Sequence, residues 1–254
     1  MYQHTLDPIA FTLGPISIYW YGLAYGLGFL FLTWYIQYKN IIDKDHDDAY
    51  LLYVVVGMLV GSRLFTFLFW DIQSLLSNPL VLFDLRGGGM SFHGGFLGFT
   101  IASILFSLKY GYDWKDLADS LVIPAAFLLG IGRVANFVNA ELLGTVSDVS
   151  WCVMFPGESR CRHPYQLYAA LKNVVVGLLL YTLTFFDCRK LKVFGWFLVL
   201  YNGGRLFVDI WRDEAIILIG LSMGQLLSVV FLVIGVFIVL KPEYLYDRFV
   251  HNKL

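Results

Sequence analysis

The chain has 254 residues, of which 58% are hydrophobic, 18% aromatic and only 15% charged, and its mean hydropathy is +0.68. Soluble domains carry about 25% charged residues, so a water-soluble fold has nowhere to bury this much apolar surface, and a polytopic membrane protein is indicated instead. A net charge of −1 supplies no basic field for nucleic acid, and three cysteines make neither a disulfide framework nor a CxxC metal site.

A membrane-spanning helix needs about 20 mostly apolar residues. Seven stretches qualify: Ile16–Gln37, Tyr50–Trp70, Gly89–Lys109, Leu117–Phe137, Tyr165–Phe186, Val193–Ile210 and Leu221–Leu240. Inside a bilayer each must satisfy its own backbone polar groups, so all seven are predicted to be helices. No Lys or Arg precedes the first stretch, so it lacks the cationic start of a cleavable signal peptide and is expected to remain. Asp47 and Asp48 read as an N-cap for the second span, and Pro242 as the stop of the last. The pairs Gly22/Gly26 and Gly57/Gly61 predict close helix approach. The expectation is an all-α integral membrane protein, a single polytopic domain over 1–254 with a short outer segment at about 138–164.

Loop charge orients this chain. Lys39, Lys44, Lys109, Lys115, Arg189, Lys190, Lys192, Lys241, Arg248 and Lys253, ten in all, fall on one side, against Arg86, Arg160, Arg162 and Arg212 on the other. The ten-charge side is predicted to be cytoplasmic, placing the N-terminus outside and the C-terminus in the cytoplasm. Arg63, Arg133, Lys172 and Arg205 lie within spans, where ionisable groups mark function by default. With this orientation Arg63, His93, Arg133 with Asn136, Gln166, and Arg205 with Asp209 all reach the outer half of the bilayer. Asn139, Glu141, Arg162 and His163 lie just beyond it. Residues near helix ends that merely snorkel are the plainer alternative.

At 100° per residue, Tyr201, Arg205, Asp209 and Arg212 share a stripe of about 80° if the sixth helix continues that far. Arg205 and Asp209 also read simply as an i, i+4 ion pair. The stripe nevertheless stays net positive, and Arg133 adds a second guanidinium. Planar guanidinium forks suit a phosphate, and at outer-leaflet depth the simplest phosphate is a phospholipid headgroup. His93, in Gly87-Gly88-Gly89-Met90-Ser91-Phe92-His93-Gly94-Gly95, is a candidate base because histidine titrates near neutrality and a helix has no use for so many glycines. Gly220-Leu221-Ser222-Met223-Gly224 fits G-x-S-x-G, but that motif belongs to a strand-to-helix turn of an α/β sheet. Here Ser222 reads as the cap of the last span. There is no H-E-x-x-H and no metal-ligand spacing, so neither metal nor cofactor is expected.

Several blocks resemble the prolipoprotein diacylglyceryl transferase family. Residues 132–144, Gly-Arg-Val-Ala-Asn-Phe-Val-Asn-Ala-Glu-Leu-Leu-Gly, are similar to its signature G-R-x-x-N-F-x-N-x-E-x-x-G. Tyr19-Trp20-Tyr21-Gly22-Leu23, Met90 to Gly95, Phe155-Pro156-Gly157, Arg162-His163-Pro164, Gln166-Leu167-Tyr168, Tyr201, Arg205, Arg212 and Ser222-Met223-Gly224-Gln225 follow in family order. The chain departs from the pattern at Ala135, where the family has Gly, and at Tyr165, where it has a small hydroxyl residue. It departs again at Ala169 and Asp209, where the family has Glu; Asp209 keeps the charge with a shorter reach.

The resemblance implies transfer of the diacylglyceryl group of phosphatidylglycerol to the lipobox cysteine that follows the signal peptide of preprolipoproteins, in the bacterial cytoplasmic (inner) membrane. A thioether forms and glycerol phosphate leaves. It implies His93, Arg133 and Arg205 as catalytic residues. Tyr21, Gly94, Gly95, Asn136, Asn139, Glu141, Gly144, Arg162, His163, Gln166, Tyr201, Asp209 and Arg212 are then the substrate-binding residues. A divergent paralogue, or a lipid-binding or transport protein with the same phosphate site, is the alternative. A transporter favours repeats and a midplane site, and an intramembrane protease needs paired aspartates or a Ser–His dyad; neither pattern is present. Cys152 and Cys161 share the outer loop facing an oxidising side, where a bridge bracing Phe155-Pro156-Gly157 and two free thiols are both compatible with the sequence.

Overall fold

The computed structural model describes residues 1–84, 90–186 and 191–240. Arg86, Gly87 to Gly89, Cys188, Arg189, Lys190, Lys241, Pro242, Arg248 and Lys253, on which some expectations rest, lie outside the described residues. The chain divides into two compact units, one of residues 1–32 with 119 onward, the other of residues 33–118. Among the described residues six helices are long and apolar enough to cross a membrane.

The first unit opens with the short strand β1 (Tyr2–Gln3) and an antiparallel hairpin of β2 (Ile9–Leu13) and β3 (Ile16–Tyr19), turned at Gly14 with φ +59°. The expected helical start at Ile16 is therefore corrected. Ile16, Ile18 and Tyr19 are β-formers next to a Pro-containing turn, and α1 (Trp20–Lys39) begins only after them. This 20-residue helix is not among the six apolar ones, because Tyr, Trp and Gly dilute its aliphatic content. No described atom lies within 4 Å of a Cβ built at Gly22 or Gly26, so this pair does not serve close helix packing.

In the second unit α2 (Lys44–Trp70) leads into α3 (Ile72–Ser77) and a 3₁₀ turn over Pro79–Phe83, and α4 (Phe92–Tyr110) follows. Asp43, not Asp47 or Asp48, stands at the N-cap position of α2. Asp47 lies inside the helix, buried, and accepts from Gln37 Nε2. Helices α2 and α4 meet along a glycine seam: a Cβ at Gly57 or Gly61 would collide with the backbone of Gly98 or Gly94, and the reverse holds. The expected role of Gly57/Gly61 is met, and Gly94 and Gly98 are its other half. Arg63 uses its buried guanidinium to hold the segment after α3, donating from Nη2 to the carbonyls of Val81 at 2.5 Å and Asp84 at 2.6 Å.

Helix α5 (Trp114–Val138) carries the chain back into the first unit and continues to a segment containing β4 (Val153–Met154). Next come α6 (Tyr165–Leu183), α7 (Lys192–Val208) with a 3₁₀ turn over Asp209–Trp211, the hairpin β5 (Ile216–Leu218) with β6 (Leu221–Ser222), and α8 (Met223–Leu240). Helix α7 packs on both α6 and α8. Ser222 Oγ accepts from Gln225 N at 3.2 Å while Gln225 Oε1 accepts from Ser222 N at 2.9 Å. This reciprocal capping box gives Ser222 the structural role expected of it.

The segment between α5 and α6 is tied down covalently and by the N-terminus. Cys152 and Cys161 form a disulfide with Cα atoms 5.7 Å apart, which decides between the two readings of these thiols. Strand β1 pairs in parallel with β4, and the Met1 ammonium donates to Ser150 O at 3.0 Å. Buried His4 meets Phe137 O through Nε2 at 2.8 Å, beside the rings of Phe137 and Phe155.

Candidate functional site

Arg205 is set in the last turn of α7, 7% exposed, and Nε donates to Asp209 Oδ2 at 3.0 Å. Asp209 is buried as well and accepts a second hydrogen bond at Oδ1 from the Tyr165 hydroxyl at 2.5 Å. Both carboxylate oxygens are thereby engaged, while Arg205 Nη1 is buried without a hydrogen-bond partner among the described residues. A Cβ at Gly224 would overlap Arg205 Nη2, so a larger residue at the start of α8 would displace the guanidinium from this position. The helix does not run on to Arg212, which corrects the predicted stripe. After Val208 the chain tightens to 3₁₀, and Arg212 is extended with φ −89° and ψ 134°. Arg212 still joins the site from the loop. Its guanidinium carbon lies 5.7 Å from the Tyr165 ring centroid, and Nη1 is 3.1 Å from Glu214 Oε2.

A second group comes from the end of α5. Asn136 Nδ2 donates to Glu141 Oε2 at 3.0 Å, Asn139 Nδ2 to Glu141 Oε1 at 3.2 Å, and Gln166 Nε2 to Glu141 O at 2.5 Å. Glu141 is aimed by strain on either side of it: Ala140 and Leu142 both adopt left-handed φ of 54°, a conformation costing roughly 1–3 kcal/mol per non-glycine residue and usually kept for a reason. Arg133 Nη1 reaches Asn136 Oδ1 at 3.5 Å. The field of Arg133 extends to Tyr21, which also feels Glu141, and to Tyr165, which also feels Asp209 and Arg212. Tyr21 itself shares a hydrogen bond with Tyr25 at 3.1 Å. Tyr201 is buried one turn before Arg205 and stacks on Phe197 with centroids 5.4 Å apart.

The family described as "Prolipoprotein diacylglyceryl transferase" matches the chain over residues 8–241. The phosphatidylglycerol–prolipoprotein diacylglyceryl transferase of Allorhizobium ampelinum is 40% identical over 260 residues, covering 94% of this chain and 90% of that protein. Those of Brucella canis and Legionella pneumophila are 38% and 37% identical, covering 91% and 92% of this chain and 89% and 96% of their own lengths.

The chain belongs to the prolipoprotein diacylglyceryl transferase family.

Its signature, residues 132–144, runs from the last turns of α5 through the strained turn just described and is closed by Gly144. A Cβ there would press on His163 O and Trp211 O. Arg162 is occupied in holding this turn: it donates to Gly144 O at 3.0 Å, Glu158 Oε2 at 2.7 Å and Asp213 Oδ2 at 2.7 Å. Burial works against its charge, but the Asp213 and Glu158 bonds outweigh that and hold its pKa above the ordinary arginine value. His163 Nδ1 meets the Tyr168 hydroxyl at 3.1 Å, which also accepts from Trp151 Nε1 at 2.7 Å. Arg162 and His163 thus brace the segment between α5 and α6 beside the polar cluster.

Two of the positions noted as departures from the family pattern, Tyr165 and Asp209, meet in the structure. The shortened carboxylate of Asp209 is met by the long phenol of Tyr165, so the carboxylate remains doubly hydrogen-bonded. Ala135 and Ala169 are simply buried. Sequence reasoning missed Tyr165, Glu214 and Gly224 as members of the cluster. The only signal for Tyr165 was its departure from the family pattern, and its coupling to Asp209 spans 44 positions. His93, Gly94 and Gly95 belong to the second unit. They occupy the first turn of α4, capped by Ser91 Oγ accepting from Gly94 N at 3.4 Å, and all three are buried. Gly94 is explained by its contact with Gly61, so the glycines there serve helix packing in the first instance.

Proposed function

We propose that this protein transfers the diacylglyceryl group of phosphatidylglycerol to the lipobox cysteine of preprolipoproteins. The cysteine sulfur attacks the glycerol carbon that carries the phosphate, the carbon–oxygen bond breaks with its electron pair going to the phosphate, and a thioether and glycerol phosphate result. The observation that carries this reading is Arg205, whose buried Nη1 has no partner among the described residues. A buried charged donor left unsatisfied is costly, and an anionic ligand removes that cost.

Arg205 and Arg133 are the phosphate clamps, Asp209 fixes the Arg205 fork, and Tyr201 and Arg212 are further donor-binding residues beside them. Tyr21, Asn136, Asn139, Glu141 and Gln166 shape the donor site. Arg162, His163 and Gly144 hold the outer segment over it. The charge growing on the departing phosphate meets cations already in place, which is where such groups lower a barrier most. The nucleophile is the thiolate, since the thiol attacks poorly. His93 is the proposed base, with Gly94 and Gly95 beside it. The alternative is that the clamps suffice and water takes the proton.

The proposed setting is a single domain over 1–254 in the bacterial cytoplasmic (inner) membrane, seven helices with the N-terminus outside, the C-terminus inside and the active site toward the outer leaflet. Loop charge supports that orientation. The test is purified protein with phosphatidylglycerol and a lipobox peptide, read by mass. A diacylglyceryl adduct on cysteine is expected. No adduct from folded protein would reject the reaction.

A further inference from the structure

We propose that Lys172, which the reaction above leaves unassigned, is a third phosphate-binding side chain of the site and acts mainly on the departing glycerol phosphate. Lys172 stands seven residues after Tyr165 on α6, two turns on and within about 20° of the same face. Its stem crosses to α7 over Gly204, where a Cβ would come within 2.9 Å of both Cγ and Cδ. Its Nζ then rests 3.6 Å from the centroid of the Tyr201 ring, one turn from Arg205. A lysine placed in a span for stability alone runs its head to the membrane surface; this one is led across a neighbouring helix into the polar cluster.

Among the described residues no oxygen accepts from Lys172 Nζ, so an aromatic face is its single polar-type contact. Its charge is within electrostatic reach of Arg133, Arg205 and Asp209. The other carboxylates nearby are engaged, Glu141 by Asn136 and Asn139, Glu214 by Arg212. Arg133, Arg205 and a protonated Lys172 would place three positive charges around one carboxylate, a set that repels itself until an anion lies between them. Lipid phosphodiester brings one negative charge, whereas the leaving phosphate monoester carries up to two. The surplus of two positive charges matches the leaving group better than the substrate, and an interaction stronger late in the reaction raises kcat more than it lowers KM.

This inference rests on the proposed reaction, and one experiment separates the two. The full-length protein and its Lys172→Met and Lys172→Arg variants are assayed with phosphatidylglycerol and a lipobox peptide. The melting shift produced by glycerol phosphate is measured in parallel, without turnover. Lys172→Met keeps an apolar stem over Gly204 and Tyr201. Its kcat is expected to fall on the order of 10²-fold, with KM for the lipid changed by no more than about threefold and the glycerol phosphate melting shift lost. Lys172→Arg should restore most of both. A Met variant with wild-type kcat and an unchanged melting shift overturns the role of Lys172, as does an Arg variant no better than Met. If wild-type protein yields no adduct, the reaction reading fails; a Lys172-dependent melting shift then still supports the phosphate site, and an independent one rejects it.

Discussion

Arg205 and Asp209, one helical turn apart, are joined by a single hydrogen bond from Nε to Oδ2 at 3.0 Å. A bidentate carboxylate pair would consume two of the guanidinium nitrogens. Here Tyr165 holds the other carboxylate oxygen, and among the described residues Nη1 is left buried and unsatisfied. The aspartate orients the arginine without using up its fork.

That geometry separates a clamp from a structural ion pair. If neutrality were the point, Arg205→Leu with Asp209→Asn would retain activity far better than Arg205→Ala. Both are expected to be equally inactive. Arg205→Lys should lose roughly 10²–10³ in rate, about 2–4 kcal/mol, while staying folded, because one ammonium cannot reproduce the fork. Near-normal turnover of the double variant or of Arg205→Lys would leave Arg205 a structural residue.

The base is tested through pH. His93→Gln should lose activity steeply at neutral pH and regain it as pH rises past about 8.5, where a thiol ionises unaided. The direction follows from the chemistry, since a base matters only while the nucleophile is protonated. A deficit that stays constant from neutral to alkaline pH would make His93 a residue of packing.

Thiol counting checks the outer segment. Denatured, unreduced protein should show one free thiol, Cys188, because Cys152 and Cys161 are bonded. Three free thiols would contradict the bridge. Since a short closed loop contributes about 2–3 kcal/mol, reduction should lower the melting temperature and loosen β4 and the Arg162 anchor.

Orientation is tested from both ends. A reporter active only in the cytoplasm should give signal when fused at Leu254 and none at the N-terminus. The reverse pattern would invert the expected topology and place the polar cluster toward the inner leaflet.

Composition and hydropathy alone indicated a helical membrane protein and located six long apolar helices to within six residues at each end, because burying apolar side chains in lipid is a local, cumulative property of about 20 consecutive residues. The signature was legible only through family resemblance and the Ser222 cap through short-range capping chemistry, whereas the left-handed turn at Ala140 and Leu142 was not anticipated. Only the tertiary structure decided which polar groups meet. The Tyr165–Asp209 bond, the passage of Lys172 over Gly204 and the seat of Arg205 against Gly224 each join separate helices. The fold also turned the predicted helical stripe into a 3₁₀ break before Arg212, and it made Gly94 half of a packing seam with Gly61. Such contacts depend on helix rotation and close packing between elements, and no one-dimensional pattern encodes these until the helices are brought together.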